Sequence, residues 1–522
     1  MSEDLNEEHI PEAAPDNTAP AADGAAVAEE KSYKGFFGKM DKWFGITKSG
    51  SNYKTEIIAG LTTFMAMVYI LMVNPGMFQG VIGGSDPFGA SYIATALGAI
   101  VGTFLMAFLA KMPLAQASGM GVNAFIVFTL CNENTGLTFA NCMVFTLLDG
   151  VIFIILTATG LRKHIFKAIP DEVRKAINVG LGLFIAFIGL QNASVIVDEA
   201  STLVNLVSFN VLKSPFAVWD PINGKLTGML PAFVALVGVI LIAILSKKKV
   251  KGSILWGILG STVLYYAMAG IGFAAGSEAC KSMFQNIGIK NPFSAFEAWG
   301  KDAAGKVFYE GFNFTKYLGM EGNNAGSLVL LLVTTALSLC MLDMFDTIGT
   351  LYGACEKGGL LDKDGNPLNM NKCMLADSVA TCVGAIAGTS TVTTFVESSA
   401  GVAAGGKTGF TAFITGLCFL VAMFLSPIAQ LVPYAATAPA LIWVGVLMMS
   451  SVTNIEWTDP AKALPAFLTI AVMAFGYEIS YGIGIGMISS LIIKLCTGKI
   501  KEISVVTWII TIFFLATFIL TH

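Results

Sequence analysis

Charge is scarce in this sequence: Asp, Glu, Lys and Arg make up only 13% of its 522 residues, about half the roughly 25% typical of soluble domains. Set beside a 55% hydrophobic content, that shortage excludes a water-soluble globular fold and points to lipid as the solvent. Histidine is nearly missing. The three that occur, His9, His164 and His522, lie outside the apolar runs, so a proton relay within the spans would have to use carboxylates. No span interior offers an arginine, which argues against an anion carrier. Most of the nine cysteines, Cys340, Cys382 and Cys418 among them, sit in apolar runs without paired spacing, so no disulfide, zinc or redox framework is expected. Residues 1–30 lack a basic start and an apolar h-region. They read as a disordered cytoplasmic tail and not as a cleaved signal peptide.

What the sequence does have is a succession of apolar runs near the roughly 20 residues that cross a bilayer. They recur from Glu56 almost to the C-terminus, for example Leu230 to Leu245 and Leu328 to Met344. The fold class is therefore an all-α polytopic membrane protein. Lys31, Lys34, Lys39, Lys42, Lys48 and Lys54 alternate with Phe36, Phe37, Trp43 and Phe44, so residues 31–54 read as an interfacial segment on the cytoplasmic leaflet. With that end inside, Lys111, Arg162 with Lys163, Lys247 to Lys249, Lys357 with Lys363, Lys407 and Lys462 all fall on inner loops, as the positive-inside rule requires. About fourteen crossings result. Whether 505–520, in the C-terminal segment 499–522, adds another or lies at the interface is left open by charge counting.

Residues 55–275 and 326–498, separated by an extracytoplasmic loop at 277–325, each hold about seven segments. An odd number gives the halves opposite orientation, the pattern of an inverted repeat. The third segment of each half is short and rich in glycine: Pro113 to Leu130 contains SGMGVNAF, and Gly388 to Lys407 contains GTSTVTTFVESSAGVAAGGK. Both read as discontinuous helices, since TSTVTTFV is β-prone, and irregular backbone survives at membrane depth only around a site or cavity. A glycine-rich packing helix is the plainer alternative.

Acids stand inside these spans: Asp149, Asp343, Asp346 and Glu397, with Asp377 and Glu478 near segment ends. Each costs roughly 2.5 to 3.5 kcal/mol at the bilayer centre, so a function is the default explanation. Asp343 and Asp346, three apart in CMLDMFDTIGT, share a helix face, and Glu397 stands near a half-helix start. Burial and a like-charged neighbour both favour the protonated form of a carboxyl, which would couple a site to protons. For Asp343 and Asp377 in particular, hydrogen bonding to backbone freed by a broken helix accounts for the acid as well. Asp149, alone in TLLDGVIF, is read as a packing residue. Asn123 presents a planar amide able to match a purine edge, while a left-handed turn residue or a cap explains it too.

Residues Gly401 to Thr408 read GVAAGGKT and satisfy the phosphate-loop pattern. A membrane ATPase is nonetheless rejected, because a phosphate loop joins a strand to a helix in a soluble α/β domain, and no chain is left over to build one. The glycines are expected to allow close helix packing, with Lys407 capping at the inner face.

From about Tyr53 to Gly498 the chain resembles the AzgA-like purine permeases, a branch of the nucleobase/ascorbate transporter (nucleobase:cation symporter-2) superfamily. The motifs are TTFMAMVYILMVNPGMF, GMGVNAF, GLGLFIAFIGLQNA, MFDTIGTLYG, ADSVATCVGAIAGTSTVTTFVESSAGVAAGGKTGFTA and ATAPALIWVGVLM, in the family's order. The resemblance implies a seven-plus-seven repeat, a core of segments 1–4 and 8–11, and a gate of segments 5–7 and 12–14. It implies proton symport of adenine, guanine or hypoxanthine by elevator-like motion, with the proton gradient as driving force and no cofactor. It places substrate binding on Asn123, Asp346 and Glu397, and proton coupling on Asp343 and Glu397. An enzyme is not expected, nor a metal or nucleic acid; a homodimer through the gate domains and a plasma-membrane location, with a bacterial inner membrane fitting best, are. Ser118 stands where relatives often have Pro, Lys407 where many have Arg, and 277–325 looks longer than usual.

Overall fold

Local capping chemistry sets where most helices begin, and apolar length sets how far they run. Asn52 caps α2 (Tyr53–Met67) by accepting from the Thr55 amide at 3.0 Å, following a short amino-terminal helix α1 (Gly35–Phe44). Helix α3 (Ile70–Phe78) continues almost in line. Asp86 with Pro87 opens α4 (Pro87–Leu105), and a Thr138/Asn141 capping box opens α6 (Phe139–Thr159) after the short α5 (Met120–Ala124). Then come α7 (Asp171–Asn192), α8 (Met229–Lys247), α9 (Ser253–Ala274), α10 (Glu278–Asn286) and α11 (Pro292–Asp302). The second half holds α12 (Ala325–Gly358, with an Asn324/Ser327 capping box), α13 (Met370–Ala387), α14 (Ser398–Ala403) and α15 (Gly409–Ala422). It ends with α16 (Tyr434–Met449), α17 (Pro460–Phe475), α18 (Ile479–Cys496) and α19 (Val505–Leu520).

This computed structural model describes residues 35–131, 135–160, 169–210, 215–220, 225–286, 288, 291–320, 322–363, 365–500 and 503–520. The acidic tail 1–30, Lys31, Lys34, Asn132, Arg162, Lys163, His164, Lys501 and His522 lie outside them. Ten helical stretches among the described residues are long and apolar enough to cross a membrane, from Tyr53–Phe78 to Ile479–Cys496. Met120–Leu130, Pro460–Phe475 and Val505–Ala516 are shorter apolar helices.

Six short strands among the described residues depart from the all-helical expectation. Two of them, β1 (Gln116–Ser118) and β6 (Val392–Thr394), pair antiparallel with Gln116 opposite Thr394 and Ser118 opposite Val392. They come from the two glycine-rich segments, and their residues are all buried. Cross-pairing is how irregular backbone satisfies its amides where no water is at hand. The other four form hairpins in 193–229: β2 (Ile196–Glu199) with β3 (Leu203–Leu206), and β4 (Val218–Asp220) with β5 (Lys225–Thr227).

The long helices pack in two groups. In one, α2, α3, α4, α6, α12, α13 and α15 surround the β1–β6 pair; in the other, α7, α8, α9 and α16 to α18 pack on one another. The α7–α16 contact is close because both sides use glycine at the crossing: an added Cβ at Gly445 would stand 2.4 Å from the Gly182 carbonyl oxygen. Helix α19 lies along α18, with the Phe518 and Tyr481 rings stacked at 4.7 Å. The amino-terminal basic and aromatic segment docks on the protein as well. Phe44 and Ile46 are buried, and the Lys111 ammonium lies 4.8 Å from the centroid of the Trp43 ring.

Candidate functional site

Between the two groups lies a cavity of about 260 Å³, just below the roughly 300–1,000 Å³ of typical small-molecule sites and suited to a small, flat ligand. Its first wall is built from the ends of the two glycine-rich segments, Gly119 to Gly121 and Thr394 to Glu397, and from Asp346, Gly349 and Thr350 of α12. Its second wall is Asn178, Leu181 and Ile185 of α7 with Val444, Leu447 and Met448 of α16. Helix α5 approaches α7 closely at Gly121, where an added Cβ would meet Leu181 Cδ1 at 2.4 Å and displace that side chain.

Two carboxylates face this space, and sequence positions 51 residues apart supply them. Asp346 Oδ2 accepts a 3.3 Å bond from the Thr393 hydroxyl of β6. Glu397 Oε1 accepts a 2.5 Å bond from the Tyr69 hydroxyl, a residue in the junction between α2 and α3. No Lys, Arg or His stands among the described residues that line the cavity. The site thus offers carboxyl oxygens to N–H groups on a flat ligand, with apolar side chains from the opposite wall against its faces.

Asn123 is placed differently. It does not line the cavity: fully buried in α5, its Oδ1 accepts from the Ser118 hydroxyl at 2.8 Å and from the Ser390 hydroxyl, and its Nδ2 reaches only the Ser118 carbonyl at 3.4 Å. It ties the two glycine-rich segments together, at the end of β1 and just before the start of β6. Asp343 is likewise fully buried and off the cavity wall, one turn from Asp346, with Oδ2 accepting from Thr381 of α13 at 3.4 Å. Asp377 is hydrogen-bonded by Gln116 (2.9 Å), Thr394 (3.3 Å) and Thr347. Asp149 joins Asp343 and Asp377 at the junction of α6, α12 and α13, where Gly150 abuts Cys382 and Ser378. The sequence reading missed Tyr69, Asn178, Ser390 and Thr393. A lone Tyr at the centre of the apolar run FMAMVYILMV is a signal that could have exposed the first of these.

The phosphate-loop look-alike is occupied by the protein's own anion. Backbone amides of Lys407 (3.0 Å) and Thr408 (3.3 Å), with the hydroxyls of Thr408 (2.9 Å) and Thr411 (2.6 Å), donate to the buried carboxylate of Glu56. Lys407 therefore contributes here through its backbone, and α14, not a strand, precedes the loop.

Helices of membrane-spanning length, with a small two-carboxylate cavity at the contact between two helical groups, have the architecture of a polytopic membrane carrier. The chain belongs to the Permease family (Xan_ur_permease), which matches residues 54–485, and within it to the AzgA-like branch of the nucleobase:cation symporter-2 superfamily. The guanine/hypoxanthine permease PbuO of Bacillus subtilis (strain 168) is 37% identical over 481 residues, 91% of this chain and 100% of that protein. The adenine permease AdeP of Escherichia coli (strain K12) is 34% identical over 481 residues, 92% of this chain and 95% of that one. Among solved structures, the murine Solute Carrier 26 family member A9 anion transporter shares the fold with a TM-score of 0.56 and 13% identity, over 90% of this chain and 74% of that one.

Proposed function

We propose that this protein imports purine nucleobases (hypoxanthine, guanine or adenine) with protons across the plasma membrane, its amino terminus on the cytoplasmic side. The reading rests on one observation above the rest: Asp346 and Glu397 meet at a single cavity that carries no counter-charge among its described lining residues. The relatives, guanine/hypoxanthine and adenine permeases, support the substrate class.

Asp346 and Glu397 would accept the N–H groups of the base, and Tyr69 would hold Glu397 in place by its hydroxyl. An ionised carboxyl only accepts, whereas a protonated one also donates, so taking up a proton changes which purine edge it matches. Loading of proton and base is thereby linked, with Glu397 as the coupling group. Asp343, one turn behind Asp346, would relay or store the proton. Asn123 would act from behind the wall, holding the strand ends that present Gly119 to Gly121 and Thr394 to Glu397 to the ligand.

Fourteen segments in a seven-plus-seven inverted repeat, with the β1–β6 segments as the discontinuous pair, fit the two packing groups. Movement of the group that bears the carboxylates against the group of α7 and α16 would expose the cavity alternately, in the manner of an elevator. An anion carrier on this fold is disfavoured because such a ligand would meet two carboxylates at the cavity wall.

Radiolabelled hypoxanthine uptake into cells expressing the chain tests this, with adenine, guanine, xanthine and uracil as competitors and with or without a protonophore. Protonophore-sensitive uptake blocked by purines and spared by uracil is expected. Failure to take up any base would overturn the substrate assignment.

A further inference from the structure

A second and larger cavity, of about 610 Å³, lies on the face that carries the β4–β5 hairpin. Both packing groups wall it: Gln79 and Asp86 on one side, Trp219, Lys225, Tyr266 and Tyr434 on the other.

Helical spacing puts this vestibule in line with the carboxylate cavity. Tyr69, Met72, Gly76 and Gln79 succeed one another at intervals of three, four and three, which is one stripe along α3 and its ends. Tyr69 reaches Glu397, while the other three line the vestibule. Helix α16 repeats the arrangement, with Tyr434 and Thr437 at the vestibule and Val444 and Met448 at the carboxylate cavity. From Thr437 to Val444 is roughly 10 Å of helix, about two turns. Within that interval Ala440 and Leu441 are buried, and just outside it the Tyr434 hydroxyl donates to the Gly76 carbonyl at 2.8 Å. A thin seam between α3 and α16 is what separates the two spaces.

The vestibule also has the groups to hold a flat polar ring. Gln430 Nε2 donates to both oxygens of Asp86 (3.0 and 3.2 Å), which turns its Oε1 into the available acceptor. The Lys225 ammonium, 5.5 Å from the centroid of the Tyr434 ring, is a donor. Burial pushes the pKa of this lysine down, opposed by the nearby Asp220 carboxylate. Trp219, Tyr266 and Tyr434 supply aromatic faces for stacking. A heterocycle with an N–H beside a C=O needs one acceptor, one donor and a face, and all three are present.

We propose that this vestibule is a second, weaker binding site for planar nitrogen heterocycles bearing an amide-type edge, occupied before the base passes the α3–α16 seam. The inference rests on the purine reading of the carboxylate cavity and extends it to a two-stop path.

Equilibrium binding of radiolabelled hypoxanthine to the purified full chain in lipid nanodiscs separates the two sites. The wild-type protein should show a tight and a weak class, and Asp346→Ala with Glu397→Ala should leave the weak class alone. In that background Lys225→Gln or Trp219→Leu should weaken the remaining class by about tenfold, the loss expected for one charged hydrogen bond or one stacking face. Introduced singly into the wild type, the same two changes should leave the tight class intact, which also shows that the variants fold. A single class in the wild type, or a weak class indifferent to Lys225 and Trp219, would overturn the vestibule site while sparing the carboxylate site. Absence of all binding by the wild type would overturn both.

Discussion

Tyr69 shows how much one hydroxyl can matter in a site without cations. It is fully buried, and among the described residues its 2.5 Å bond to Glu397 is the side-chain hydrogen bond that fixes that carboxylate from outside its own segment. Tyr69→Phe should keep the fold and raise the KM for base uptake by about tenfold, since a hydrogen bond to a charged group contributes roughly 1.5–3 kcal/mol. Unchanged uptake kinetics would show that Glu397 is oriented by other means. Glu56 carries a different burden, because removing its carboxylate would orphan two amides and the Thr408 hydroxyl at the start of α15 and leave the Thr411 hydroxyl only its 3.4 Å bond to the residue-56 carbonyl. Glu56→Ala should lower the thermal unfolding temperature of the purified protein markedly, each unsatisfied buried group costing about 1–3 kcal/mol. An unfolding temperature equal to that of the wild type would mean that water replaces the carboxylate.

At the scale of elements, the spans were legible because composition and length decide them. Leu230 to Leu245 and Leu328 to Met344 became the interiors of α8 and α12. The β-prone run TSTVTTFV gave the strand Val392–Thr394, and SGMGVNAF gave a strand end followed by a five-residue helix. The pairing of these two runs could not be read from either alone, because it joins residues more than 270 positions apart. The same limit applies to the site: Asp346 and Glu397 announced themselves as charges in apolar runs, whereas Asn123 gave no hint that the hydroxyls of Ser118 and Ser390 occupy its oxygen. Glycine-mediated crossings were equally hidden. Gly445→Val should destabilise the α7–α16 contact by about 1–3 kcal/mol or more, because its Cβ would press on the Gly182 carbonyl. Thermal unfolding in detergent reads this directly, and a neutral result would show that the two helices can separate at no cost.

For the whole molecule, the proposed transport cycle requires one group of helices to move against the other, with the α3–α16 seam as the place where they would part. Cysteines at Gly76 and Tyr434, whose side chains would face each other across that seam, should be bridged by a bifunctional thiol reagent, and bridging should arrest uptake. Undiminished uptake after complete bridging would exclude relative movement there. The most direct test of the central claim uses the purified chain alone in proteoliposomes, with the outside made more acidic than the inside. Hypoxanthine should accumulate against its gradient in wild-type vesicles and should fail to accumulate with Glu397→Gln, which keeps the hydrogen-bonding shape and loses the titrating group. Gradient-driven accumulation by the Glu397→Gln protein at the wild-type level would contradict a coupling role for the carboxylate pair.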